Sequence, residues 1–402
     1  MSLLQSAAPL EKAPKAKDER SPLMAFVTDS ASETVLRDCL PRLGINSSSI
    51  MRGGIGQAVA HLRTERSPQI LVVDIADAAM PTSEIHRLAE VCEPGVSVIA
   101  VGTRNDIGLY RDLVQAGVSD YIVKPLTAQL VAKSLKHAIR PSDATPISQK
   151  VGKLVAFIGA RGGVGASTVA ANMAWHLANR EHRRVALVDL DLHSGDCALM
   201  LNVRPTGGLR DALDNPMRVD NTFLGRATIV HGERLHLLSS QEQLGEALNF
   251  APDAIDTLIS ALRLEYHYVI VDLPGTYMAL HRHVLQVADE RILVADQTLR
   301  AVRDAARLRV LLGEDDPDHQ TLLVVNRSGE GGSGAITLAE MNKTLGIRPS
   351  CVIPFLPKLF TAAATQAAMP TARRGGFAEA MDALALAISG RAPKRRSWWG
   401  RK

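Results

Sequence analysis

Short apolar runs of strand length alternate with stretches of helical periodicity along most of the chain. Four runs precede residue 140 and six follow residue 150, at 24–27, 70–73, 96–101, 121–123, 153–158, 184–188, 235–238, 268–271, 291–295 and 321–325. Runs that are apolar throughout are typical of strands buried on both faces. Repeated strand and helix therefore predict an α/β fold with mostly parallel sheets covered by helices.

Breaks in this alternation divide the chain into segments. Arg140 to Pro146 is polar and holds two prolines, a composition that neither a helix nor a strand tolerates. The larger, second group of strands predicts a doubly wound domain. We expect five segments: a disordered lead-in (1–21), a first domain (22–140), a linker (141–150), the larger domain (151–390) and a basic tail with two tryptophans (391–402).

Composition narrows the class of protein. A chain of 402 residues with 46% hydrophobic residues can bury more than one core. Because no run of about 18 uncharged apolar residues occurs and no signal-peptide pattern opens the chain, we expect a cytoplasmic protein. A net charge of +4 is too small to indicate specific nucleic-acid binding. Four widely spaced cysteines predict reduced, structural thiols: Cys39, Cys92, Cys197 and Cys351.

The densest chemical signal is a glycine-rich loop between a predicted strand and a predicted helix. The helix has the apolar stripe Val169, Met173 and Leu177. Glycines let backbone N–H groups turn inward, and a helix N-terminus adds partial positive charge, so such a loop can hold phosphates while Ser167 reaches Mg²⁺. The alternative is an ordinary glycine-rich turn. The predicted nucleotide-binding residues here are Arg161, Gly162, Gly163, Val164, Gly165, Ala166, Ser167 and Thr168.

This loop resembles the deviant Walker A motif of ParA/MinD ATPases, which reads Lys-Gly-Gly-Val-Gly-Lys-Thr-Thr. The resemblance implies ATP and Mg²⁺ as cofactors and a nucleotide-sandwich homodimer. Arg161 replaces the lysine that reaches across that dimer, and Ala166 replaces the lysine that contacts the β and γ phosphates. Losing one preorganised charge donor lowers turnover by ~10² to 10³, so we expect nucleotide binding with slow or absent hydrolysis.

Downstream segments match the same family. Asp189 and Asp191 leave one strand, and the resemblance makes Asp189 a metal-site residue and Asp191 the residue that orients the attacking water. Asp272 resembles the Walker B aspartate that holds Mg²⁺ through water. Asn326 and Pro354 stand where the family contacts and closes over the adenine. Each aspartate, taken alone, has the alternative of capping the following helix.

The first domain resembles a flavodoxin-like receiver domain of response regulators. Asp74 takes the position of the phospho-accepting aspartate, and Asp29, Thr103 and Lys124 take those of its usual neighbours. The family carries an acidic pair after its first strand, whereas Thr28-Asp29 supplies one carboxylate. Metal binding and phosphorylation should therefore be impaired. We expect a pseudo-receiver used for docking or dimerisation, with a phosphorylation switch as the alternative.

A receiver-like domain ahead of a MinD-like domain resembles the CpaE/TadZ family of Flp (Tad) type IV pilus assembly. The resemblance implies a homodimer that marks the assembly site, peripheral at the inner membrane or cell pole, and recruits the secretion ATPase and the inner-membrane platform proteins. For the tail (391–402) two alternatives stay open, a solvated basic segment and weak contact with a membrane surface. The competing functions are an active ParA-type ATPase for cargo or DNA and a phosphorylation-controlled regulator.

Overall fold

A computed structural model of the protein describes residues 20–45, 50–139, 151–275, 278–313, 315–316 and 318–390. The predicted lead-in, linker and tail lie outside these ranges, apart from residues 20 and 21. The described residues form two sheets, one on each side of the predicted linker. Both sheets are flanked by helices, which confirms the predicted α/β class.

The first sheet has five parallel strands in the order β2-β1-β3-β4-β5, the flavodoxin-like order. Its strands are β1 (Leu23–Val27), β2 (Ile50–Arg52), β3 (Ile70–Asp74), β4 (Ser97–Gly102) and β5 (Asp120–Val123). Its helices are α1 (Ser30–Cys39), α2 (Ile55–Leu62), α3 (Pro81–Val91), α4 (Ile107–Gln115) and α5 (Ala128–Ile139). Helices pack on both faces and enclose two apolar clusters.

The second sheet has eight strands in the order β13-β12-β11-β6-β10-β7-β9-β8, and β8 alone pairs antiparallel. The strands are β6 (Lys153–Gly159), β7 (Val185–Asp189), β8 (Ile229–His231), β9 (Leu235–Leu238), β10 (Tyr268–Leu273), β11 (Glu290–Ala295), β12 (Gln320–Ser328) and β13 (Pro349–Pro354). The helices are α6 (Ala166–Asn179), α7 (Cys197–Met200), α8 (Gly208–Asp214), α9 (Asn221–Ala227), α10 (Asp256–Glu265), α11 (Ala279–Val287), α12 (Leu299–Leu312), α13 (Leu338–Leu345), α14 (Pro357–Thr365) and α15 (Gly376–Ile388).

The central strands of both sheets are buried on both faces, which explains why their sequences are largely apolar, with an aspartate near the carboxyl ends of β3, β7 and β10. Every residue of β3 and β7 is buried, for example, and β6 is buried from Leu154 onward. The predicted helical stripe of Val169, Met173 and Leu177 packs on this layer. All ten predicted strands are present in the structure, and β2, β8 and β13 are additional.

The phosphate-loop helix α6 is tied to the segment that precedes α15. The amide oxygen of Asn172 accepts a hydrogen bond from the Thr371 N–H at 3.1 Å. The buried ring of His176 lies 3.3 Å from the Thr371 hydroxyl, and its other nitrogen lies 3.1 Å from a carboxylate oxygen of Asp382. These contacts hold the middle and second half of α6 against residues 371 and 382.

The two sheets meet through a buried cluster of charged residues at the amino ends of their strands. Arg66 donates to Glu93 in the first domain at 3.1 Å, and Arg184 pairs with Glu265 in the second at 3.4 Å. Arg20 joins the two groups, because its guanidinium lies 3.3 Å from Glu93 and 3.4 Å from Glu265. Burial opposes ionisation of Glu93, but the guanidinium of Arg66 and those of its neighbours keep the pKa of this carboxyl below its usual value.

Backbone contacts reinforce this junction. The guanidinium of Arg183 donates to the carbonyl of Glu90, and that of Arg234 donates to the carbonyl of Thr64. Arg183 and Arg234 closely precede β7 and β9, whereas Glu90 lies in the last turn of α3 and Thr64 follows α2, at the helix ends that lead towards β4 and β3. The contact therefore joins the amino edge of one sheet to the amino edge of the other.

The four cysteines are all free and buried, in agreement with the sequence. A bilayer-spanning helix would need about 20 predominantly apolar residues. Among the described residues, no helix combines the length and the apolar character required.

Candidate functional site

The glycine-rich loop leaves β6 and ends where α6 begins. Gly163 and Gly165 have φ of +81° and +90°, which L side chains rarely adopt. Gly159 is needed for a different reason, since a Cβ there would lie 2.9 Å from the carbonyl oxygen of Arg161. These glycines thus allow a tight loop in which residues 163 and 165, directly before the helix, adopt positive φ.

The loop offers backbone N–H groups at the start of a helix. Within the described part of the chain, the amide groups of Gly162, Gly163, Val164 and Gly165 donate no hydrogen bond to another residue. α6 is 14 residues long, and its first-turn N–H groups add to the positive potential. Together these groups form the kind of concavity that binds phosphate oxygens.

Two carboxylates lie side by side on the strands next to the loop. Asp189 and Asp272 are direct neighbours in the register of β7 and β10, and each is 2% exposed. Burial, and then the charge of Asp189, raises the pKa of Asp272 to about 8. Burial likewise raises the pKa of Asp189 to about 6, against the hydrogen bonds from the Cys197 and Asp191 N–H groups. A cation nearby would stabilise both ionised forms.

The residues of this cluster fit Mg²⁺. Among the described residues, Oδ1 of Asp272 is buried without a hydrogen-bond partner, and the nearby Ser167 hydroxyl favours the ionised form of the Asp272 carboxyl and so opposes the rise in its pKa. Hard oxygen ligands of this kind, with water, are what Mg²⁺ requires. Ser167 and Asp272 would hold the ion and Asp189 would lie beside it, and these roles stay predictions. The ion would neutralise charge on a bound polyphosphate.

Cys197 completes the cluster and was not predicted to be there. Its thiol lies 3.7 Å from Oδ2 of Asp272, and burial followed by the two carboxylates raises its pKa. The segment that carries it folds closely over Asp189, because a Cβ on Gly195 would lie 2.4 Å from that carboxylate. The thiol is therefore held protonated against the carboxylate pair.

Arg161 is engaged within its own chain. Its Nη2 lies 2.6 Å from Oδ2 of Asp296, and Nη1 donates to the carbonyl of Gly162 at 3.1 Å. Asp296 is buried just beyond β11 and also accepts from the Thr298 hydroxyl at 2.5 Å. Ala166, at the first position of α6, contributes no charge. The positive charge of Arg161 is thus offset by a carboxylate of the same chain.

The remaining predicted residues lie at the same carboxyl edge of the sheet. Asp191 is half-buried, and its carboxylate caps the turn by accepting from the Ser194 N–H at 3.0 Å. Thr168 is half-buried in the first turn of α6, and Pro354 ends β13. Asn326 lies under the loop and donates to the carbonyl of Val164 at 2.8 Å. The water-orienting role of Asp191 and the adenine contacts of Asn326 and Pro354 stay predictions.

The first domain brings three of its four predicted residues together. Nζ of Lys124 lies 2.5 Å from Oδ2 of Asp74 and 2.5 Å from Oδ2 of Asp29. Asp74 also accepts from the Thr28 hydroxyl at 2.7 Å and from the Ala76 N–H at 3.0 Å. Burial opposes ionisation, but the Lys124 hydrogen bonds dominate, so the pKa of Asp29 falls to about 2 and that of Asp74 is also lowered.

Thr103 stands apart from this cluster. It follows β4 at the same edge and is exposed. Tyr121 turns inward, and its hydroxyl donates to the carbonyl of Arg104 at 2.8 Å. The ammonium group of Lys124 therefore bridges the two carboxylates that a receiver domain would offer to a metal ion.

Comparisons with known proteins bear on the second domain. A family model described as NUBPL iron-transfer P-loop NTPase (ParA) matches residues 150–228. The septum site-determining protein MinD of Bacillus subtilis is 29% identical over 179 residues, 44% of this chain and 65% of that protein. The Mg-ADP complex of MinD from Pyrococcus horikoshii shares the fold, with a TM-score of 0.51 and 20% identity over 59% of this chain and 96% of that one. The second domain is a ParA/MinD-type P-loop NTPase domain.

A ParA/MinD-type domain binds nucleotide and Mg²⁺ in general, in line with the loop and the carboxylate pair. The chain spans less than two thirds of the length of the Bacillus subtilis MinD that it matches. A pilus assembly protein CpaE from Caulobacter crescentus is 29% identical over 28% of this chain and 95% of that one, with a TM-score of 0.26. That score is too low to support a structural conclusion.

Proposed function

We propose that this protein is an ATP-binding scaffold that dimerises on nucleotide and marks the site of Flp (Tad) type IV pilus assembly. It comprises a pseudo-receiver domain (22–140) and a ParA/MinD-type domain (151–390). The observation that carries the proposal is a glycine loop with free amide groups above a buried carboxylate pair, combined with alanine at the position of the P-loop lysine. This combination favours binding over turnover.

Binding and turnover depend on different groups. Backbone amides and Mg²⁺ recognise the phosphates in the ground state, whereas a lysine charge acts most strongly as charge develops on the leaving oxygen. With Ala166 the second contribution is missing. ATP therefore stays bound for long periods, and a dimer that contacts the γ-phosphate from both subunits is correspondingly long-lived.

The pilus assignment rests on the sequence resemblance of the two domains to the CpaE/TadZ family. In that role the dimer recruits the secretion ATPase and the inner-membrane platform proteins, with weak membrane contact through residues 391–402. The Lys124 bridge between Asp29 and Asp74 supports a docking role for the first domain, because the ammonium group already neutralises the carboxylates. Co-purification of the secretion ATPase with tagged protein from pilus-forming cells, lost on deleting residues 22–140, tests this part.

Calorimetry and turnover measured together test the nucleotide site. We expect the Mg²⁺ salt of ATP to bind, with slow or no phosphate release. Asp272→Ala should weaken binding, because it removes a carboxylate of the Mg²⁺ site. Asp196→Asn removes an exposed carboxylate of the segment between β7 and α7 and should not weaken it. Ala166→Lys should raise turnover by ~10². Absence of ATP binding to the unmodified protein would exclude the proposed function.

Sedimentation with and without ATP tests dimerisation. We expect the mass to double with ATP and Mg²⁺ and to stay single with either removed. Arg161→Ala should weaken the dimer, since the resemblance places this residue at the dimer interface. A mass that does not change with ATP would contradict nucleotide-dependent dimerisation. It would not bear on nucleotide binding itself.

A further inference from the structure

The side-chain amide of Asn326 hydrogen-bonds both the glycine loop of the ParA/MinD-type domain and the backbone of its own strand. It is 8% exposed at the carboxyl end of β12. Nδ2 donates to the carbonyl of Val164 at 2.8 Å, and Oδ1 accepts from the N–H of Arg327 at 2.9 Å. Arg327 itself has φ of +56°, so the backbone is distorted within the last residues of β12, where its register with β13 shifts. The side-chain amide is thus anchored at the end of its own strand and hydrogen-bonded to the loop.

The bond from Asn326 determines how one peptide group of the loop is oriented. In a trans peptide the C=O and the following N–H point in opposite directions. Because Asn326 holds the carbonyl of Val164, the N–H of Gly165 must point away from Asn326. That N–H is one of the loop amides without an acceptor among the described residues. Asn326 therefore fixes the direction of a donor in the phosphate concavity.

Gly165 and Asn326 also fit each other sterically. A Cβ on Gly165 would lie 2.5 Å from Nδ2 of Asn326, well inside van der Waals contact. A side chain at position 165 would push the amide away and break its bond to Val164. The glycine thus serves two purposes, since it permits a φ of +90° and leaves space for the amide.

We propose that Asn326 is a positioning residue for phosphate binding and acts through the peptide group between Val164 and Gly165. The inference rests on the proposed nucleotide site. It adds the residue that orients a backbone N–H donor of that site. Because Ala166 supplies no charge to the phosphates, backbone donors carry more of the affinity than in a loop with lysine. Their orientation, and hence Asn326, matters correspondingly more for any polyphosphate, whatever base it carries.

Calorimetry with three probes tests this role: the Mg²⁺ salts of ATP, GTP and inorganic tripolyphosphate. Asn326→Asp replaces the donor with a carboxylate that faces the Val164 carbonyl. We expect it to weaken all three by the same factor, about tenfold or more. The melting temperature of the nucleotide-free variant, measured in parallel, shows whether the fold is retained. A loss confined to ATP would overturn the inference, because it would mean a base contact, and so would unchanged affinity for all three.

Gly165→Ala provides a second test that leaves Asn326 in place. We expect the same loss for the three probes, including tripolyphosphate. Gly225→Ala in α9 is the matched control, because a Cβ there meets no atom within 4 Å and lies in a helix. Retained tripolyphosphate affinity in Gly165→Ala would contradict the inference alone. If the unmodified protein bound none of the probes, the proposed function would be contradicted as well. The unmodified protein therefore tests the proposed function, and the variants test the role of Asn326.

Discussion

Asp272→Asn should change how stability depends on pH. In the unfolded chain the Asp272 carboxyl has a pKa near 3.8, and in the fold this pKa is about 8. Between these values the native state keeps a proton that the unfolded chain has released, so stability falls as pH rises and the loss is complete above about pH 8. Each pH unit costs about 1.4 kcal/mol, so the loss between about pH 5 and about pH 9 is about 4 kcal/mol. Asparagine removes this contribution.

Urea unfolding at several pH values, with EDTA to exclude Mg²⁺, measures the effect. Trp175 in α6 reports on the second domain once Trp398 and Trp399 are replaced by phenylalanine. We expect the difference in free energy of unfolding between Asp272→Asn and the unmodified protein to shift in favour of the variant by about 4 kcal/mol between about pH 5 and about pH 9. Asp196→Asn, an exposed carboxylate nearby, should show no such growth. Parallel pH profiles of the unmodified protein and Asp272→Asn would refute the reasoning.

Three further changes probe other contacts. Asp296→Asn releases Arg161 from its carboxylate and should tighten ATP binding about tenfold by calorimetry; no gain, or a gain that persists after Arg161→Ala, would contradict this. Lys124→Met leaves the Asp74 carboxylate buried without its ammonium partner and should destabilise the first domain by about 3 kcal/mol in urea unfolding, with recovery on adding Asp74→Asn; an unchanged midpoint would argue against it. Glu93→Gln weakens the junction between the sheets and should accelerate limited proteolysis between the domains, and an unchanged cleavage rate would show that the cluster is dispensable.

Strands and glycines were predictable because each follows from a local constraint. A strand covered on both faces is mostly apolar, as β7 and β10 are before the aspartates near their carboxyl ends. The loop was predictable because left-handed backbone at positions 163 and 165 requires glycine. Asp189 and Asp272 were assigned to one metal site through the resemblance to ParA/MinD ATPases, and their direct pairing in the register of β7 and β10 comes from the structure. β2 and β8 were missed since both are three residues long and only partly buried.

Contacts that depend on side-chain orientation were not predictable. Cys197 reaches the carboxylate pair from 75 residues before Asp272, and its sequence spacing resembles no metal motif. Arg161 pairs with Asp296, which lies 135 residues further along the chain. This contact depends on side-chain rotamers and on the Thr298 hydroxyl, which also hydrogen-bonds Asp296. Asn326 was singled out for an adenine contact, which stays a prediction, and its hydrogen bond to the carbonyl of Val164 was not predicted. None of these distances is encoded in a local pattern.

The junction between the sheets has a consequence for how the molecule can be used. Since the amino edges face each other, the edge that carries Asp74 and the edge that carries the phosphate loop point to opposite ends of the protein. In the proposed function, one end would therefore dock a partner while the other contacts a second copy. Coupling between the two ends can pass through the charged residues around Arg20 and through the contacts of Arg183 with Glu90 and of Arg234 with Thr64.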